Sequence, residues 1–277
     1  MMRTALVALL VGAVLTACGI RIVKYEFADD QVVADKFTSV RVRTGSGDVS
    51  IRYQQGLTET KIHRKIQHAK DNKPANVSHR IEGNALVLED CGRNCSIDYE
   101  VAVPDPAILV RGEEVGSGNA VIEGLASVDY QVGSGNVTVR DIAGDVKIRT
   151  GSGDFRATAV KGTVTANVGS GNLWLDQLKG KVLVNTHSGD IRGTAMDADV
   201  TADADSGNID LTFLSARTAR IDTRSGDVTV RVPGNDSYKV GGDTSSGERR
   251  IDVRTDPNAL NELKLTTRSG DVKVLGV

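Results

Sequence analysis

The sequence predicts an all-β protein, a single-stranded parallel β-solenoid (β-helix) with ~18-residue coils and a strand-rich N-terminal cap. Three observations carry this expectation. A Ser-Gly-Asp/Asn marker returns at a near-constant interval, apolar residues alternate in twos inside each interval, and 30 Gly accompany only 4% aromatic residues. That composition suits small side chains and many tight corners rather than a core wrapped around large rings.

Taking the Ser as the marker gives Ser46, Ser117, Ser134, Ser152, Ser170, Ser188, Ser206, Ser225, Ser246 and Ser269. From Ser117 the spacings are 17, 18, 18, 18, 18, 19, 21 and 23. After Ser134 the apolar positions are Val137, Val139, Ile142, Val146 and Ile148; after Ser152 they are Phe155, Ala157, Val160, Val164 and Ala166; after Ser170, Leu173, Leu175, Leu178, Val182 and Val184. Spacing by two within a pair is strand alternation, and Gly144, Gly162 and Gly180 stand where a second corner is needed. Each coil reads as strand, bend, strand, corner. With no room for a crossover helix, such strands pair only with their equivalents in neighbouring coils, ~4.8 Å away.

The segment before the repeats divides in two. Arg3, an apolar run over residues 5–15 and the sequence Leu15-Thr16-Ala17-Cys18 resemble the signal and lipobox of bacterial lipoproteins, in which the cysteine is acylated. The alternative is an ordinary signal peptide or short anchor with an incidental cysteine. Val40, Val42 and Thr44 then alternate into Ser46, and Val101-Ala102-Val103-Pro104 precedes the regular run. The expected organisation is a lipoprotein signal peptide over 1–17, an N-terminal strand-rich region and cap over 18–110, and a solenoid over 111–277. The remaining cysteines, Cys91 and Cys95 in CGRNC, form the simplest disulfide of an exported protein.

The lipobox, the CGRNC pair before IDYEVAVP, the SGDV and SGNV repeats and the closing TRSGDVKVLGV are together similar to a bacterial family of exported β-strand-repeat proteins. That family goes by the name "putative adhesin" and is otherwise of unknown function. The resemblance implies a repetitive β fold outside the cytoplasm and a role in surface interaction.

Three sets of residues are candidates for chemistry. The first is the column following Ser-Gly, which includes Asp48, Asn136, Asp154, Asn172, Asp190, Asn208, Asp227 and Asp271. From Asn136 to Asp227 amide and carboxylate alternate, so like charges sit two coils apart and each amide is expected to donate to the carboxylate beside it. This reads as a structural turn ladder, with calcium binding as the alternative. The second is the outward row Arg156, Trp174, Arg192 and Asp210, four residues after successive markers. The only Trp then lies between two Arg, a cation–π arrangement suited to a sugar ring or a partner's hot spot, or else a self-satisfied surface group. The third is the basic run Lys61, His63, Arg64, Lys65, His68, Lys70 and Lys73, either a contact for anionic head groups or the wet face of a strand.

Catalytic motifs are missing: the chain has no G-x-S-x-G, no H-E-x-x-H and no phosphate loop before a helix. A formal net charge of −2 offers no footprint for nucleic acid. The expected protein is a non-catalytic, extracytoplasmic β-solenoid, lipid-anchored to the cell membrane through Cys18, without cofactor or metal. It acts as an adhesin-like interaction or envelope scaffold protein, and its partners are the membrane and a cell-wall polymer, glycan or surface protein. The alternatives are a polysaccharide-active β-helix enzyme and a calcium-stabilised solenoid.

Overall fold

The computed structural model describes residues 24–70 and 78–277. The signal peptide, Cys18 and Lys73 lie outside the described residues. Among the described residues there are 27 strands and no helix, arranged as a 13-stranded and a 14-stranded sheet.

The chain alternates between the two sheets. The strands Val146–Ser152, Val164–Ser170, Val182–Ser188 and Val200–Ser206 are neighbours in the larger sheet. Phe155–Thr158, Leu173–Asp176, Ile191–Met196 and Ile209–Phe213 are neighbours in the smaller. Pairing is parallel and in register, with Val146 opposite Val164, then Val182, then Val200. The architecture is β-solenoid-like, with two sheets enclosing a narrow core.

All the apolar positions enumerated for the markers at Ser134, Ser152 and Ser170 are buried, none more than 3% exposed. Apolar residues stack on apolar residues from coil to coil, Val137 on Phe155 on Leu173 in one sheet and Ile148 on Ala166 on Val184 in the other. Thr150, Thr186, Thr223 and Thr267 continue one inward row where each strand meets the corner, and all are buried. Their hydroxyls are satisfied locally; that of Thr267 donates to the Gly226 carbonyl at 3.0 Å.

Two kinds of corner separate the strands. In the Ser-Gly corner the glycine has positive φ, +130° at Gly153 and +148° at Gly171. It also lies against the glycine of the coil before: a Cβ on Gly171 would stand 2.1 Å from the Gly153 carbonyl oxygen. The second corner departs from the expectation. Its left-handed residues are Asp141, Ala159, Gln177 and Ala195, not the glycines. Gly162 and Gly180 are needed there for closeness instead, since a Cβ on Gly162 would fall 2.4 Å from the Gly144 oxygen.

At the N-terminal end Val49–Tyr53 lies between Cys95–Val103 and Ala120–Glu123. Two long antiparallel strands, Thr60–Ala69 and then Lys24–Val33, close the smaller sheet. The basic run on Thr60–Ala69 therefore faces an acidic strand of its own chain. Arg64, only 4% exposed, donates to Asp29 through Nε at 2.7 Å and to Ser78 Oγ at 3.0 Å. His63 pairs with Asp30 at 2.8 Å and Lys65 with Glu26 at 3.2 Å. Cys91 and Cys95 are joined by a disulfide, Cα atoms 5.6 Å apart, around a loop with positive φ at Gly92 and Asn94.

At the C-terminal end the coils do not stack in chain order. Val272–Gly276 inserts between Val228–Val232 and Arg249–Asp252, so the marker column runs Ser225, Ser269, Ser246. The excursion after Pro233 skips one level and the last strand fills it. Tyr238 is fully buried in this excursion, its hydroxyl donating to the Pro233 carbonyl at 3.0 Å. Burial pushes that phenol up to about 12.

Two outcomes follow from this packing. Gly171→Ala meets both a forbidden φ and the Gly153 carbonyl, and is expected to cost about 3 kcal/mol or more. Gly241→Ala, with nothing within 4 Å, is expected to change little; urea denaturation of the two variants measures the contrast. His79 provides the second. Burial first, then the Arg64 guanidinium, hold its imidazole below the ordinary value against a smaller opposing effect of Asp29, and its Nδ1 is buried without a partner. The folded state thus favours neutral His79. Its contribution is complete above the ordinary histidine pKa of about 6.5 and is lost as pH falls below it. His79→Gln is expected to flatten the decline in stability between pH 7 and pH 5, read from chemical denaturation at each pH.

Candidate functional site

The column after Ser-Gly is a continuous ladder, but its bonds differ from those expected. Each backbone N–H donates to the side-chain Oδ1 one level below: Asn119 to Asp48 at 2.7 Å, Asn136 to Asn119 at 3.1 Å, and Asp154 to Asn136 at 2.8 Å. Asn172, Asp190, Asn208 and Asp227 continue it at 2.9–3.0 Å. Asp271 donates to Asp227 and Glu248 to Asp271, following the rearranged C-terminal order. Of the side-chain amides only Asn119 donates to a neighbouring carboxylate, Asp48, at 3.1 Å. Backbone donors win because every coil has one in the same place, whether the rung is Asn or Asp. The foot of the ladder was not legible as a repeat: Asp98, in the CSID run after the disulfide, accepts from the Asp48 N–H at 2.8 Å.

The second carboxylate oxygen of several rungs holds a cation two residues onward. Asp154 Oδ2 lies 3.5 Å from Arg156, Asp190 Oδ2 3.0 Å from Arg192, and Asp271 Oδ2 2.9 Å from Lys273. That pairing positions the expected patch. Arg156 is opposite Trp174, Trp174 opposite Arg192 and Arg192 opposite Asp210. The Arg156 guanidinium carbon sits 3.9 Å from the centre of the Trp174 ring. Asp210 is paired with Arg231 from the next level. The four residues form one surface row, with one Trp face covered by Arg156 and every charge partnered.

The opposite sheet carries an arrangement that sequence reasoning missed. On the outward face of the larger sheet, Gln131, Arg149, Asn167, Asn185, Asp203 and Asp222 occupy one register column over six consecutive levels. All six are exposed, and none of their side chains makes a hydrogen bond or ion pair with another described residue. Beside them Gly133, Gly151 and Gly169 present bare backbone, so that a shallow trough of about 590 Å³ runs from Gln131 to Asn185. A second hollow of about 380 Å³, sharing Asn185, continues it past Asp203 and Asp222. At the join, Asp205 bridges His187 at 2.7 Å and Arg224 at 3.1 Å. Partial burial, then the nearby Asp222 carboxylate, raise the Asp203 carboxyl above its ordinary value. The signal was available in the sequence: the residue three before each marker from Ser134 to Ser225 is planar and polar in every coil.

Stacked parallel coils, an inward apolar ladder and a turn ladder of Ser-Gly-Asp/Asn corners define a β-solenoid-like repeat protein. The chain belongs to the Toastrack DUF4097 family, whose model matches residues 103–275. No curated protein matches it. Among solved structures it is similar to a "putative adhesin" from Parabacteroides distasonis, with 13% identity, 90% of this chain and 96% of that chain covered, and a TM-score of 0.46. A "putative adhesin" from Bacteroides fragilis has 14% identity, coverage of 90% and 97%, and a TM-score of 0.33. A "putative cell adhesion protein" from Clostridium sporogenes has 10% identity, coverage of 90% and 99%, and a TM-score of 0.28.

The Asn/Asp alternation has a direct test. Asn172→Asp keeps the Oδ1 acceptor for the Asp190 N–H but places three carboxylates on successive levels. Stability is expected to drop by about 1 kcal/mol at low salt and to recover in concentrated salt; a thermal melt at two ionic strengths reads both effects.

Proposed function

We propose that this chain is a non-catalytic, lipid-anchored interaction protein of the cell envelope, a single-stranded solenoid of ~18-residue coils presenting rigid surface rows to a partner. The observation that carries the reading is the commitment of the ladder carboxylates. Their Oδ1 atoms accept backbone N–H groups and several of their Oδ2 atoms hold a cation, so these acids are spread one per level in structural bonds instead of converging on a substrate.

The lipobox supports anchoring through Cys18, and the fold supports its direction. Lys24 opens the outermost strand at the capped end of the smaller sheet, so a lipid on Cys18 would tether the rod by its cap and carry the later coils away from the membrane. The N-terminal cap over 18–110 and the repeat region over 111–277 then divide the labour between closing the stack and meeting a cell-wall polymer, glycan or surface protein. The row at Trp174 is the contact proposed for that partner, because Arg156 holds the indole in place before binding and little side-chain freedom remains to be lost. Nucleic acid is not a suitable partner for a chain of formal net charge −2.

The test is retention of the mature chain on isolated envelope material. Trp174→Ala combined with Arg156→Ala is expected to lower retention at least tenfold while leaving the melting temperature within a few degrees. Equal retention of both proteins would remove the row from the mechanism.

A further inference from the structure

The column of six planar polar groups opposite the Trp174 row makes no internal use of its hydrogen-bonding capacity. Two side-chain amides and a guanidinium start the column, a third amide follows, and two carboxylates end it. Each can make two parallel hydrogen bonds in one plane, the pattern that vicinal hydroxyls on a sugar ring satisfy. One such group per level recurs at ~4.8 Å, so the column spans roughly 24 Å along the rod.

We propose that this trough binds an extended, uncharged, β-linked polysaccharide lying along the solenoid axis, one sugar unit to about one coil. The advance of a pyranose in an extended β-1,4-linked chain is close to the spacing between coils; alternate rings are turned over, so every second unit presents the same edge to every second level. Gly133, Gly151 and Gly169 leave the floor beside the column without side chains, letting a flat ring approach the sheet. The charges set the class of polymer. Along the two hollows Arg149, Arg224 and Arg268 are matched by Asp203, Asp205 and Asp222, a balance that favours neither a polyanion nor a polycation along the whole length.

An extended peptide fits less well for two reasons. The faces of a sheet have their backbone groups already paired, leaving no edge for an added strand. Peptide side chains on one face also recur every ~6.8 Å, out of step with ~4.8 Å. The site is separate from the Trp174 row, which lies on the other sheet.

Calorimetric titration with the hexasaccharides of β-1,4-linked N-acetylglucosamine and β-1,4-linked glucose tests the assignment on the mature chain. At least one hexasaccharide is expected to bind, and more tightly than its disaccharide, because contacts accrue level by level. Asn167→Ala combined with Asn185→Ala is expected to weaken that binding tenfold or more, with an unchanged melt and the Arg156–Trp174 pair intact. The variant carrying both Trp174→Ala and Arg156→Ala tells the two surfaces apart, since a loss confined to it assigns the oligosaccharide to the Trp174 row instead of the trough. The proposal is overturned if neither hexasaccharide binds, if the two Asn replacements have no effect, or if only the Trp174 variant loses binding. It also fails if polygalacturonate or an extended polar peptide binds in the trough and the hexasaccharides do not.

Discussion

The contact on which the rest of the structure depends is the backbone N–H of each Ser-Gly corner donating to the Oδ1 one level below. It demands three things at once. The corner must carry a short side chain ending in an acceptor oxygen, the residue before it must tolerate positive φ, and that residue must lack a Cβ because one would stand about two ångströms from the neighbouring carbonyl oxygen. Ser-Gly-Asp and Ser-Gly-Asn meet all three. Once corners are locked in register, the strands leaving them are in register too, and the period of two decides which side chains enter the core. A one-residue slip in any coil would turn its Val and Ile outward and break two ladder bonds.

This locking explains why the outward positions are free to vary. The core rows hold buried apolar residues and one inward row that includes four Thr, and the corner column holds Gly followed by Asp or Asn, with Glu248 at one rung. The outward rows carry Gln, Arg, Asn, Asp, Thr, Lys and one Trp without disturbing the stack. The ladder still reaches the surface, because a rung that is Asp has a second oxygen to offer. Arg156 and Arg192 stand two residues after Asp rungs and are held by them; Trp174 stands two residues after an Asn rung, where no charge competes for the indole. Asn/Asp alternation thus does more than separate like charges, since it also sets which levels fix a cation.

The period, the inward positions and the corner column were legible in the sequence because each is imposed by one repeated geometric constraint. Val137, Phe155 and Leu173 had to fall inside for the same reason. The bond type in the ladder was not legible, since Asn beside Asp suggests side-chain pairing until the backbone donor is seen to stand nearer. The left-handed residues of the second corner were hidden by the attraction of Gly144 and its equivalents, and Ala159 and Ala195 give no sign of unusual φ. The order of the last levels was also hidden: spacings of 21 and 23 tell that the chain wanders, not that Ser269 slides beneath Ser246. The trough escaped notice because a row of ordinary polar residues acquires meaning only when six of them share a line and none has a partner.

The two ends of the stack solve the edge problem differently, and the difference gives the rod a direction. At the N-terminal end the antiparallel strands bury Arg64 against Asp29 and seal the core beneath Tyr99, whose hydroxyl donates to the Glu89 carbonyl at 2.8 Å. At the other end Arg249–Asp252 ends the smaller sheet with its side chains largely exposed, protected by charge instead of by cover. Arg249, Arg250 and Asp252 make it a poor template for another strand. Insertion of Val272–Gly276 beneath it means that this charged edge is held by a strand that follows it in the chain. Among the described residues the smaller sheet breaks chain order once, so that the apolar strand Val272–Gly276 lies inside the stack and the charged Arg249–Asp252 forms its edge.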